Sequence, residues 1–390
     1  MSDILSQGQD HEPRPWRRRV VVLAVLAGLL AAAVLTHLPR HRPARPHPAA
    51  SAVIAGPDGI GGPTLPWAPE LRLPVAAEHP ALLSPGAGRL QLIGGLPSNR
   101  AGYQFTQVGG GWAIQATASR TVPRAVCDLC AGVPQPVYFL SERGRSASLV
   151  APADAVAPAA GARAMWLTSY PRGASLQLAA GTTREVGAAG RLLHPAVRLP
   201  AGYQVVRGTV RGLLLAPVAP RPGAAAEVLL DPASGRLAAS RTPLLAASAT
   251  QVAVTTCRGA SCQLTVRSLI TGHVRHIALP AGSSVASAAF SPDGSYLALQ
   301  VTTAAGGAGG GSATQLEVAA TATGRLAVVP DTSLSSDALI GFGWPPGGHQ
   351  LVAELSFTTK VQLAAWQPGA AQLAVTVVRP GTGAGAIVTG

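Results

Sequence analysis

Hydrophobic positions along this chain fall into one long uninterrupted run followed by many short ones. Val20 to Leu35 is sixteen residues without a charge, and Thr36, His37 and Leu38 extend it to nineteen. At about 1.5 Å per residue a helix of that length reaches roughly 28 Å, the thickness of a bilayer's hydrocarbon. The run predicts one transmembrane helix over 20–38, after a leader over 1–19. Nine prolines then fall within the 36 residues from Pro39 to Pro74, with little apolar surface between them. That composition predicts an extended, semi-rigid linker over 39–84. Farther on, apolar residues alternate with polar ones, as in Leu297, Leu299 and Val301, in short runs bounded by glycine turns. Such runs are half-buried strands. The tail over 381–390 lacks a packable run.

The short runs repeat. FSPDGSYLAL, Phe290 to Leu299, and WPPGGHQLVA, Trp344 to Ala353, lie 54 residues apart and share an aromatic, a proline, a glycine and an apolar run. A glycine followed by a basic residue and a strand recurs at Gly88-Arg89, Gly144-Arg145, Gly235-Arg236, Gly272-His273 and Gly324-Arg325, with weaker equivalents at Gly181 and Gly369. We read these as turns between the third and fourth strands of successive units. LPAG at Leu199 to Gly202 returns at Leu279 to Gly282, and GYQ occurs at both Gly102 to Gln104 and Gly202 to Gln204. A unit of about 40 to 50 residues built this way is a β-propeller blade. The expected fold is an all-β propeller over 85–380, with blades starting near Tyr103, Arg163, Tyr203, Thr250, Val285 and Ala338. That makes six blades. The strand around Leu90 to Ile93 either closes the ring by pairing with the last blade or belongs to a seventh.

At FSPDGSYLAL the chain resembles the WD-like repeats of TolB-like propellers, in which a strand ends in an aromatic, turns through Ser-Pro-Asp-Gly and re-enters the sheet. The copy at Trp344 departs from that pattern, with Gly347 where it places Asp. The resemblance implies the fold, not an activity. Pro292, Asp293 and Gly294 are read as a structural turn: Pro presets φ, Asp bonds its own backbone, and Gly takes the left-handed position.

Charge and cysteines add a location. Arg17, Arg18 and Arg19 precede the apolar run, and Arg40, Arg42 and Arg45 follow it, so the positive-inside bias is slight. Four cysteines in two close pairs fit an oxidising compartment. Together these predict a single-pass signal-anchor in the cell membrane with the propeller extracytoplasmic; cleavage after Ala31-Ala32-Ala33 is the alternative and leaves the propeller on the same side. Twenty-nine arginines against one lysine, Lys360, with heavy Ala, Gly and Pro use, resemble the product of a GC-rich, actinobacterial genome. Residues 46–390 carry 23 basic and 14 acidic groups. The arginines are scattered singly, many beside turn glycines where solvated turns account for most of them, and form no basic stripe, which argues against nucleic acid as partner and leaves affinity for anionic surfaces.

Candidate chemistry is sparse. Cys257 and Cys262 flank a four-residue turn between strands, which predicts a disulfide pinning a hairpin. Cys127 and Cys130 form a CxxC, but Pro134 and Pro136 follow, and these do not make the helix that activates a redox thiol. A second local disulfide is expected instead. His273 and His276, three apart on a strand, point to opposite faces and cannot share one metal ion. Trp112, Trp166, Trp344 and Trp366 are expected to pack between blades. No motif for a catalytic residue, cofactor or metal is present. The sequence thus predicts a membrane-anchored extracytoplasmic propeller serving as a binding scaffold, its partner an envelope protein or an anionic cell-wall ligand. An envelope hydrolase or lyase with its site in the propeller channel stays open as the alternative.

Overall fold

The computed structural model describes residues 65–378, apart from 77, 118–132, 177–178, 220–224, 241, 259–260, 305–311, 336–338, 348 and 358–360. The expected transmembrane helix, the leader, the Cys127–Cys130 pair and the tail lie outside the described residues. Among the described residues, twenty-eight strands and one 3-10 turn, Pro85–Ala87, make up the regular structure, so alternation of apolar residues was a sound guide to strands.

The strands form seven antiparallel sheets, and the expectation of six blades is corrected to seven. Blade 1 covers 73–92, blade 2 103–153, blade 3 155–198, blade 4 203–240, blade 5 244–278, blade 6 283–335 and blade 7 339–378. Blades 2 to 5 and blade 7 are four-stranded in simple up-and-down order. In blade 6 the outer edge is split into two pieces, Leu326–Val328 and Leu334–Ser335, both paired with Ser312–Ala320. First strands of neighbouring blades lie side by side, which places them innermost. Blade 3 begins at Ala155 and blade 5 at Leu244, several residues ahead of their expected starts, because an opening strand precedes the strongest apolar run.

Blade 1 accounts for the miscount. Its three strands, Leu73–Val75, Ala81–Ser84 and Arg89–Leu92, are three or four residues long, too short to show a period. The first contains Pro74, which only an edge strand tolerates. The first two take Leu73–Ser84 out of the stretch expected to be linker. Arg89–Leu92 pairs with Ala81–Ser84 and not with the last blade. The ring closes through side chains, Leu73 and Val75 packing with Val352, Leu363, Ala365 and Ala374 of blade 7, and through the Leu65 N–H donated to Leu373 O at 2.8 Å.

The repeated motifs mark equivalent joints. In both LPAG copies the residue after Gly donates its N–H to the Pro carbonyl, Tyr203 to Pro200 at 3.3 Å and Ser283 to Pro280 at 3.2 Å. In both GYQ copies the Gly carbonyl accepts from the end of the second strand, Thr117 to Gly102 at 3.0 Å and Val218 to Gly202 at 2.9 Å. All four tryptophans are buried, and two of them bridge blades. Trp344 donates from Nε1 to Ala289 O of blade 6 at 3.0 Å and stacks on Tyr296. Trp166 of blade 3 abuts Gly208 of blade 4, where an added Cβ would lie 2.5 Å from Nε1.

Candidate functional site

Antiparallel order puts the turn after the first strand and the turn after the third strand at the same end of every blade. The sequence places cations at that end. Gly144-Arg145, Gly235-Arg236, Gly272-His273 and Gly324-Arg325 join third to fourth strands in blades 2, 4, 5 and 6. Gly181 opens the third strand of blade 3; the equivalent turn there is Gly190-Arg191. In blade 1, Gly88-Arg89 joins the second and third strands. Its 3-10 turn reaches Trp67, and Ala68, Glu70, Leu71 and Arg72 line one 500 Å³ groove with Glu142, Arg143 and 345–347, so this turn faces the same end. Arg89, Arg145, Arg191, Arg236, His273 and Arg325 are all exposed. The result is a rim with one exposed arginine from each of five blades and His273 from blade 5. The turn of blade 7, at Gly369-Ala370, carries no basic residue.

Inside the rim the turns after the innermost strands enclose the axial mouth. A cavity of about 230 Å³ is lined by Gln107–Gly110 of blade 2, Pro158–Ala162 of blade 3, Arg207 of blade 4, Ser248 and Ala249 of blade 5, Phe290–Pro292 of blade 6, and Pro346 and Gly347 of blade 7. No carboxylate, histidine or cysteine is among these residues. Arg207 is their one charge, and enclosure among them lowers its guanidinium pKa from the ordinary value through desolvation. Sequence reading had assigned most arginines to solvated turns and passed over Arg207. The available signal was its place inside a strand, two residues after Val205 and with no turn glycine before it.

The acids and histidines sit elsewhere. A 310 Å³ groove between blades 3 and 4 holds Glu185, His194, Arg211 and Asp231. Burial raises the Glu185 pKa and His194 pulls it back, while the Arg211 guanidinium is committed to Leu269 O at 2.7 Å and Ile270 O at 3.3 Å. A 420 Å³ groove between blades 5 and 6 holds His273, Arg275 and Asp293. His276 lies away from it on its strand, with Nδ1 3.2 Å from Thr265 Oγ1. Among the described residues no group of three His, Cys, Asp or Glu side chains could hold a metal ion.

Asp293 occupies the turn expected of it. Its Oδ1 accepts from Ser291 Oγ at 2.6 Å and from Ser295 N–H at 3.0 Å, while Ser291 Oγ accepts from Tyr296 N–H at 2.9 Å. Gly294 carries φ 74°, the left-handed conformation. Burial pushes the Asp293 pKa up, but the hydrogen bonds from Ser291 and Ser295 together outweigh it and hold the carboxyl below its ordinary value. Asp293→Ala should therefore cost about 1–2 kcal/mol of stability, read as a shift of the urea midpoint.

Cys257 and Cys262 are directly paired across their hairpin in blade 5 and form a disulfide, S–S 2.07 Å, Cα–Cα 4.0 Å. A loop this short limits the entropic gain to about 2 kcal/mol. This hairpin joins second to third strand, at the end opposite the rim.

The sequence matches no protein-family model and no curated protein. Among solved structures, the acylaminoacyl peptidase of Pyrococcus horikoshii is similar with a TM-score of 0.52 and 10% identity, over 77% of this chain and 48% of that one. The β-propeller domain of the Trilobed protease from Pyrococcus furiosus gives 0.50 and 8%, over 77% and 88%. TolB from Acinetobacter baumannii gives 0.38 and 13%, over 68% and 65%. The chain thus spans about half the length of the acylaminoacyl peptidase and under two thirds of TolB. At such identities the likeness establishes the propeller fold and nothing of activity.

Proposed function

We propose that this protein is a membrane-anchored, extracytoplasmic propeller that acts as a docking scaffold, and that its cationic rim receives an acidic surface of another envelope protein. The observation that carries the reading is the recurrence of one exposed arginine at a turn in each of five blades, all at one end. Like charges gathered at one end repel one another, and such a ring steers and orients an anionic partner. Binding is favoured over hydrolysis because the described residues of the axial mouth hold no acid–base pair, and a hydrolase needs one there. The apolar run over 20–38 supports the anchor, and the Cys257–Cys262 bond supports the compartment.

Photo-cross-linking in intact cells tests this. A photoreactive residue at Ala233, on the rim, should capture a protein, and one at Arg172, at the opposite end, should not. Combining Arg145→Glu, Arg191→Glu and Arg236→Glu should cut the Ala233 adduct at least about tenfold. Capture from both ends alike, of cell-wall polymer alone, or insensitive to charge reversal would overturn the reading.

A further inference from the structure

The axial mouth is distinct from the rim, and its one charge is placed there by a specific backbone irregularity. Arg207 lies on Tyr203–Thr209, the innermost strand of blade 4. Val205 pairs with Leu215 and Arg207 with Leu214, so Val206 is an extra residue, a β-bulge. Directly opposed residues share a face of a sheet. Leu215 belongs to the core between blades 3 and 4, together with Trp166 and Val205, whereas Leu214 packs with Val252 and Leu269 of blade 5. Without the bulge, Arg207 would follow Val205 by two and enter the first of those apolar cores. The bulge turns it to the other face, at the axial edge, and bulges re-aim side chains in this way next to functional sites.

Three other blades carry a bulge in the innermost strand, between Leu244 and Ala246, Val285 and Ser287, and Leu339 and Gly341. The residues that take the place of Arg207 are therefore Ala246, Ser287 and Gly341. All are small and none of them lines the cavity, so Arg207 is the one residue of this set that reaches it. Arg207 is half-buried and no carboxylate lines the cavity beside it, so an anion entering there would meet a partly desolvated guanidinium without a counter-charge.

We infer that Arg207 makes the axial mouth a receptor for a carboxylate, either a free small acid or the end of a polypeptide chain. One guanidinium matches one carboxylate in a bidentate pair. A phosphate dianion would call for a second cation, and none lines the cavity. A volume of about 230 Å³ corresponds to roughly seven waters, enough for N-acetylglycine. The turns at Gly109, Gly110 and Ala160–Ala162 line the space from two further blades.

The test is calorimetric titration of the full-length protein with N-acetylglycine, N-acetylglycinamide, inorganic phosphate and acetyl-pentaglycine bearing a free carboxylate. N-acetylglycine should bind and its amide should not. Arg207→Gln should weaken the acid at least about tenfold, and Arg207→Lys should restore only part of that, because an ammonium keeps the charge and loses the fork. A measurement on the unaltered protein guards against misfolding of the variants: N-acetylglycine should protect Arg207 from phenylglyoxal, read by peptide mass spectrometry. Tighter binding of acetyl-pentaglycine supports a chain end as source, and equal binding supports a free acid. Equal binding of acid and amide, no change with Arg207→Gln together with no protection, or a preference for phosphate would overturn the assignment. None of these outcomes depends on the rim, so the docking reading stands or falls separately.

Discussion

Replacing Glu317 by Gln should leave stability nearly unchanged at pH 4.5 and raise it by about 3 kcal/mol at pH 8. Glu317 lies on the third strand of blade 6, opposite Leu299, on the face packed against blade 5. It is buried, its Oε2 has no hydrogen-bond partner, and desolvation pushes its pKa from 4.5 to about 7. The sign follows from proton binding. Below about pH 4.5 the carboxyl is protonated both folded and unfolded and costs nothing. Between 4.5 and about 7 only the unfolded chain gives up the proton, so stability falls as pH rises, and above 7 the full penalty applies. Gln is neutral throughout and should flatten this slope. Urea unfolding at several pH values measures it. Parallel pH profiles for the two proteins would mean that the carboxyl ionises freely in the fold.

Trp344→Ala should be the most damaging single substitution we can name, at about 4–5 kcal/mol. The side chain is 1% exposed, lies in a core shared by blades 6 and 7, and bonds across the interface to Ala289 O. Its removal leaves a cavity and an unpaired carbonyl together. Trp344→Phe keeps most of the packing and should cost about 1–2 kcal/mol, chiefly the lost hydrogen bond. Denaturant midpoints of the two variants separate the contributions. Equal losses would place the whole effect in the hydrogen bond.

These two positions also show how far each level of information reached. Trp344 was legible: it ends an apolar run in a recurring motif, and recurrence at blade spacing marks an interblade contact. Glu317 was not, since one acid among fourteen shows its burial only when blade 5 covers it. The same division holds at the site. The turn at Pro292, Asp293 and Gly294 and the Cys257–Cys262 hairpin are local, closed by residues within five positions of one another, and local chemistry is written in adjacent residues. The cationic turns were legible one by one, but their gathering at one end depends on strand direction in six separate sheets.

What the sequence by itself determined is therefore the all-β class, the propeller repeat, the turns that punctuate it and the disulfide that clips one hairpin, because each rests on spacing of two to about fifty residues along the chain. The number of blades was decided by tertiary structure. Blade 1 has strands too short for periodicity and exists by packing Leu73 and Val75 onto blade 7, across nearly the whole length of the propeller. Arg207 was decided the same way. Its direction follows from a one-residue bulge, and its isolation from which side chains five other blades bring to the axis. Contacts between residues far apart in the chain set both outcomes, and the neighbouring sequence carries at most the absence of a turn glycine before Arg207.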